Sequence, residues 1–270
     1  MNQLEDMVAV VTGGASGIGR GIAEILATKG ANVVVADIDI AGAKKTASLV
    51  ESFGRESLAV QADVTDPRGT DGMISNATSV FGRVDILISN AGVGGAPDFY
   101  KRESPSEEDW DVTYATNVRG IVNSIESVQD TMINRRSGKI VVISSASGRR
   151  GRGDAMKPYA ASKAAAINVS QAYALRLAPS NINVNTICPG LIWTPLWDKI
   201  AQLRLAIDGS QPDKSPRQYF EEFVLDTIPL GREQTPSDIG KLTAFLCSDQ
   251  ARNITGQAIN VSGAGAQIFN

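Results

Sequence analysis

Tyr159 and Lys163 stand four residues apart in "YAASK", at the head of an alanine-rich stretch. In a helix that spacing puts both side chains on one face. The chain contains no histidine, so the usual group for moving protons near neutral pH is missing. An ordinary tyrosine, with a pKa near ~10, is a poor base at pH 7. A neighbouring ammonium stabilises the phenolate and is expected to lower that value. With Lys163 beside it, Tyr159 could act as general acid/base in place of histidine. Ser145, in "VVISSASG", could hydrogen-bond a substrate oxygen, with Ser147 as the fallback and Ser144 close by. Taken alone, the Tyr–Lys spacing is more simply a capping-turn tyrosine and a solvated lysine.

A second stretch, "VTGGASGIG", could hold a phosphate. Gly13, Gly17 and Gly19 lie between an apolar run and an amphipathic segment. Glycines allow a tight turn and close backbone approach, and a helix starting there, beside Ser16 and Ile18, offers free N–H groups to a pyrophosphate. Asp37 ends the next apolar run, 18 residues after Gly19. A carboxylate so placed accepts both hydroxyls of an adenosine ribose and repels a 2′-phosphate. No Lys or Arg occupies 14–16 or 38, so NAD is expected rather than NADP. Asp63 and Val64 end the third run, in reach of an adenine edge. "SNAG" ends the fourth, with Asn90 to brace strands and Gly92 to let the cofactor approach. The plain alternatives are a glycine-rich turn without ligand and a surface aspartate at a strand end.

These residues need elements to place them. Val- and Ile-rich runs at 7–12, 32–37, 57–63, 84–90, 139–145, 182–188 and 257–262 do not alternate with polar residues, as befits strands buried on both faces. Between them fall helical patterns at 17–29, 40–53, 66–80, 106–136, 158–178 and 236–248. "SEED" from Ser106 and "TPSD" from Thr235 carry helix-start signals. Strand–helix alternation predicts an α/β fold, a doubly wound parallel sheet, as one domain over 1–270. Residues 191–228 break the rhythm with two weak helical patterns and no strand, and read as a substrate lid.

Composition narrows the class further. The chain has 270 residues, 43% hydrophobic and 20% charged, with net charge −3. That describes an ordinary globular protein with no general pull toward nucleic acid or anionic membrane. No apolar run approaches the ~20 residues that span a bilayer, and the acids in "MNQLEDM" do not suit a secretory signal. Cys188 and Cys247 lack metal or redox spacing and read as buried free thiols. A cytoplasmic protein with no metal is expected.

"TGGASGIG", "NAG", a serine ending the fifth strand and "YAASK" occur in this order, and together they resemble the short-chain dehydrogenase/reductase family over nearly the whole chain. The resemblance implies a Rossmann-type sheet of seven strands in the order 3-2-1-4-5-6-7 with helices on both faces. It implies a catalytic set of Asn117, Ser145, Tyr159 and Lys163, in which Asn117 of "ATNVRG" holds a water linking Lys163 to solvent. Tyr159 and Lys163 would also contact the cofactor, Lys163 through the nicotinamide ribose. In "CPGLIWTP", Pro189 and Gly190 would flank the nicotinamide, while the Ile192 backbone and the Thr194 hydroxyl would bind its carboxamide. The implied reaction converts a secondary alcohol to its ketone with NAD. The segment after Thr194 resembles polyol, acetoin and sorbitol dehydrogenases, so the small-molecule substrate is expected to be a polyol, sugar or hydroxyketone. The implied assembly is a homotetramer (or homodimer) through the helices at 106–136 and 158–178 and the last strand.

Two positions depart from the family pattern: Ser262 and Ala264 stand where aspartate and glycine are common, which puts the subunit contact in doubt. Trp193 and Trp197 could wall a small pocket, or simply pack the lid. Arg149, Arg150 and Arg152 in "GRRGRGD" could receive an anionic substrate, or form a solvated loop. The rivals are a 3-oxoacyl-thioester reductase, which usually takes NADP and is opposed by Asp37, and a non-catalytic dinucleotide sensor on the same fold.

Overall fold

Strands made of unbroken Val and Ile bury both faces, and here they do. Every residue is buried in β1 (Val8–Thr12), β4 (Ile86–Ser89) and β6 (Ile182–Pro189). With β2 (Asn32–Asp37), β3 (Ser57–Gln61), β5 (Gly138–Ile143) and β7 (Ala258–Val261) they form one sheet in the order β3-β2-β1-β4-β5-β6-β7. All pairs are parallel, Val10 lying between Val34 and Leu87. The computed structural model describes residues 3–151, 156–209 and 213–265.

Alternate side chains of each strand feed two cores. Val33 and Val35 pack with Ile22, Leu26 and Ile239 from α1 (Gly17–Thr28) and α9 (Pro236–Cys247). Val34 packs on the other face, which α3 (Pro67–Phe81), α5 (Gly120–Arg135) and α6 (Lys157–Leu177) cover with Met73, Ile125, Met132 and Leu177. The helix α2 (Ile40–Ser52) joins the first layer through Ala43, Ala47 and Val50. Both helix-start signals hold: Ser106 and Asp109 form a capping box, as do Thr235 and Asp238.

The helical pattern at 106–136 is not one helix. The helix α4 (Glu107–Tyr114) passes into a π-helical turn over Ala115–Arg119 before α5. Asn117 sits in that turn, held by its amide to two other segments (below), and such turns gather where a side chain must be aimed. After β6, the excursion folds as α7 (Pro195–Asp208) and α8 (Pro216–Thr227) with no strand. Because β1 pairs with β2 on one side and β4 on the other, the chain reverses direction there, which leaves a crevice beyond the strands' carboxyl ends.

Candidate active site

The glycine turn after β1 is closely built. A Cβ at Gly19 would run into the Gly13 carbonyl, so the first turn of α1 packs directly on the loop. Gly17 takes a positive φ of 53° and faces open space bounded by the Thr194 methyl, 3.9 Å from where its Cβ would be. Ser16, the N-cap of α1, makes no side-chain cap, so N–H groups of Gly17, Ile18 and Gly19 face that space uncapped. Asp37 is fixed at the end of β2, its carboxylate accepting from the Ala15 N–H at 2.9 Å and the Asp39 N–H at 3.0 Å. The nearby Arg20 is committed to the Ala15 carbonyl and the Thr46 hydroxyl. Asp63 accepts from Thr65 through its backbone and hydroxyl, and the Val64 carbonyl receives the Asn123 amide. Asn90 braces the strands, donating to the Thr12 and Gly13 carbonyls at 2.9 and 3.0 Å. An anion-accepting helix start, a carboxylate at the second strand end and an open cradle between Gly17 and Thr194 fit a dinucleotide.

The proton-handling groups meet at the ends of β5 and α6. Lys163 is buried, and its ammonium donates to the Ile143 carbonyl at 2.9 Å. It lies 5.8 Å from the Tyr159 ring centroid. Desolvation pushes Lys163 down to about 8. Desolvation also raises the Tyr159 phenol above its usual value, while the Ser145 hydroxyl bonded to it pulls the other way. The expected lowering of the phenol by Lys163 is therefore not what the protein alone provides: burial sets the direction, and the opposing pull comes from Ser145.

The competition among serines resolves by geometry. Ser144 is spent on α6, donating to the Lys163 carbonyl at 2.7 Å. Ser145 accepts from the Ser147 N–H at 3.1 Å and faces Tyr159. Asn117 is fully buried, its carbonyl receiving the Val93 N–H at 2.8 Å while its amide donates to the Val93 carbonyl and the Ser162 hydroxyl, both at 2.9 Å. The Asn117 side chain is thus a brace between the loop after β4 and α6. Gly92 serves these groups: a Cβ there would sit 3.0 Å from the Lys163 Nζ and 3.1 Å from the Asn117 carbonyl oxygen. Its small size makes room for the polar cluster, and the expected role toward a cofactor gains nothing from these contacts.

Above Tyr159 opens a cavity of about 740 Å3. Ser144, Ser145, Ser147 and Tyr159 form its floor, with Ile18, Pro189, Gly190, Ile192 and Thr194 along one side. The helix α7 lines it with Leu196, Trp197, Ile200, Leu203 and Arg204. That spacing is a helical stripe and was readable in the sequence as such. Phe99, Tyr100, Met156 and Phe223 complete the apolar wall; Phe99 and Tyr100 lie on a short 3-10 turn with no periodic signal. Trp197 is where the sequence suggested. Trp193 follows the packing alternative instead: like Trp197 it packs on the small core of Phe220, Val224 and Ile228, but it does not line the cavity, and the Arg217 guanidinium lies 5.3 Å from its ring centroid. Of the loop arginines, Arg150 lines the cavity and Arg149 does not; Arg152 lies outside the described residues.

A family model described as enoyl-(acyl carrier protein) reductase matches residues 13–264. The chain is 36% identical over 268 residues to oxidoreductase UcpA of Salmonella typhimurium, covering 99% of this chain and 97% of that one. It is 36% identical over 262 residues to galactitol 2-dehydrogenase of Agrobacterium fabrum, covering 97% and 98%. Among solved structures, L-sorbose reductase from Gluconobacter frateurii, complexed with NADPH and L-sorbose, superposes with a TM-score of 0.89 at 30% identity, covering 99% of both chains.

Proposed function

The chain belongs to the short-chain dehydrogenase/reductase family, and from that membership we propose that it is an NAD-dependent enzyme interconverting a secondary alcohol and its ketone. The observation that carries this reading is the Ser145–Tyr159 pair lining one cavity, with the Lys163 ammonium on the same helix face as Tyr159. Ser145 and Tyr159 hydrogen-bond the substrate oxygen. Tyr159 takes the hydroxyl proton as the carbinol C–H bond breaks and returns it in the reverse direction. Lys163 supplies the positive charge that favours the phenolate, and its value of about 8 leaves it mostly protonated at neutral pH. Asn117 holds the loop after β4 against α6, so that Lys163 stays aimed.

The cofactor would lie with its pyrophosphate on Gly17, Ile18 and Gly19 and its adenosine ribose on Asp37, with Asp63 and Val64 beyond. Its nicotinamide end would reach Pro189, Gly190, Ile192 and Thr194 beside Tyr159. Bound there, an oxidised nicotinamide supplies the hydride acceptor and a second positive charge. NAD is favoured because Asp37 repels a 2′-phosphate and Arg20 is already engaged. The helices α7 and α8 act as the lid of a single domain over 1–270, in a cytoplasmic homotetramer.

A polyol, sugar or hydroxyketone substrate draws support from the names of the galactitol and L-sorbose relatives. A second reading, a 3-oxoacyl-thioester reductase, draws on relatives so named, at 33–35% identity, and on the cavity's size; Asp37 opposes it.

A panel of polyols, hydroxyketones and secondary alcohols followed by NADH absorbance tests the reading. Tyr159→Phe should lower kcat by roughly 10²–10⁴-fold, the worth of a general acid/base. Unimpaired turnover by that variant rejects the mechanism, and faster turnover with NADP rejects the role given to Asp37.

A further inference from the structure

The cavity carries charge that the hydride chemistry does not use. Its charged lining residues are Arg102, Glu103, Arg150 and Arg204. Arg102 is already neutralised by Asp109 at 3.3 Å and donates to the Pro97 carbonyl. Among the described residues no ion pair engages Arg150 or Arg204. Both are exposed and belong to different elements: Arg150 follows the turn after Ser145, and Arg204 lies on α7, its guanidinium 5.9 Å from the Phe223 ring centroid. Trp197, Leu203, Phe99 and Met156 line the same cavity as these arginines and Tyr159. Two arginines against one glutamate leave a net charge of one positive unit in the cavity lining.

From this, and resting on the alcohol–ketone reading, we infer that the substrate is an apolar hydroxy or keto acid: its carbinol or carbonyl sits at Ser145 and Tyr159, and its carboxylate is received by Arg150 and Arg204. A guanidinium binds a carboxylate through two parallel N–H donors. One carboxylate matches the net charge of the lining, whereas a phosphate dianion would leave excess negative charge beside Glu103. An apolar segment between the two ends replaces water along the aromatic wall, which a polyol cannot do without leaving hydroxyls unpaired. The chamber's size, about 740 Å3, belongs with pockets that enclose sizeable ligands, ~300–1,000 Å3.

The test uses the full chain with NADH and methyl ketones of graded length, 5-oxohexanoate to 9-oxodecanoate, beside their methyl esters and ω-phosphonates. In each reduction the ketone gains a hydride and a proton and NADH becomes NAD. The best acid should exceed its ester in kcat/KM by about tenfold or more, the scale of one charge-assisted contact. In Arg150→Ala/Arg204→Ala that acid-to-ester ratio should fall to about one, and Arg204→Lys should retain part of it. A ratio near one in the unaltered protein, or a ratio indifferent to both substitutions, overturns the inference and leaves the alcohol–ketone reading standing. A phosphonate preferred over the carboxylate overturns the monoanion assignment. Calorimetric titration of the same acids separates the remaining case. Arginine-dependent binding without reduction of any ketone keeps the anion subsite and sinks the reaction; no arginine-dependent binding and no preference sinks the subsite.

Discussion

The phenol of Tyr159 and the ammonium of Lys163 are both pushed by desolvation toward their neutral forms, upward for the phenol and down to about 8 for the amine. A buried cation held mainly by the Ile143 carbonyl is a cost to the fold, one that the proposed role of Lys163 requires, and that cost has a pH signature. Below about pH 8 Lys163 is protonated both folded and unfolded, so the full burden of burying the charge stands. Between about 8 and the unfolded value of 10.5 the folded protein releases the proton while the unfolded chain keeps it, so stability rises with pH through that window. Lys163→Met should therefore raise the melting temperature at pH 7, by at most the equivalent of about 3 kcal/mol. The gain should shrink as pH approaches 10, while activity is lost throughout. Thermal melts of the two proteins at pH 6 to 10 check this. Coincident curves would mean that the ammonium is solvated in solution. The reading of Tyr159 and Lys163 as neighbours on one helix face was available from their spacing; the direction of their shifts was not, because desolvation depends on what other segments pack around them.

At the scale of elements, the excursion after β6 is held differently from the sheet. Its own core is Phe220, Val224 and Ile228, flanked by Trp193 and Trp197. Arg217 stacks on Trp193 and Phe220 and pairs with Glu233 ahead of α9. This cluster shares no member with the two cores on the sheet faces, so it can loosen without them. Phe220→Ala removes its only fully buried aromatic ring, a change that costs about 3–5 kcal/mol in a core. The expected result is faster proteolytic cleavage between α7 and α8 and a raised KM, with the main thermal transition close to its original place. A large drop of that transition instead would show that the excursion folds with the sheet as one unit. The helix starts at Ser106 and Thr235 were legible because capping is local chemistry. The π-helical turn at Ala115–Arg119 was not, because its cause is the tie of Asn117 to Val93 and Ser162, residues 24 and 45 positions away.

For the molecule as a whole, the sheet was readable because parallel strands buried on both faces impose unbroken Val and Ile runs, whereas the order of its strands was legible only through the family resemblance. The chamber was only half readable, since Trp193 and Trp197 pack on the same small core yet only Trp197 also lines the cavity. What a single chain exposes points to the next level of organisation. Trp110 and Tyr114 on α4 lie with ring centroids 6.1 Å apart at a 37° tilt and remain 39% exposed each, and Leu175 on α6 is 82% exposed. These residues lie on the two helical segments through which the proposed tetramer would form, and aromatic residues set in a polar surround suit a subunit contact. Light scattering should return the mass of four chains, and the melting temperature should rise with protein concentration. Leu175→Arg, which sets a charge into that contact, should shift the mass toward smaller species while leaving the far-ultraviolet circular dichroism unchanged. A monomeric mass for the unaltered protein at micromolar concentration would remove this face as a contact and leave Trp110, Tyr114 and Leu175 as ordinary exposed surface.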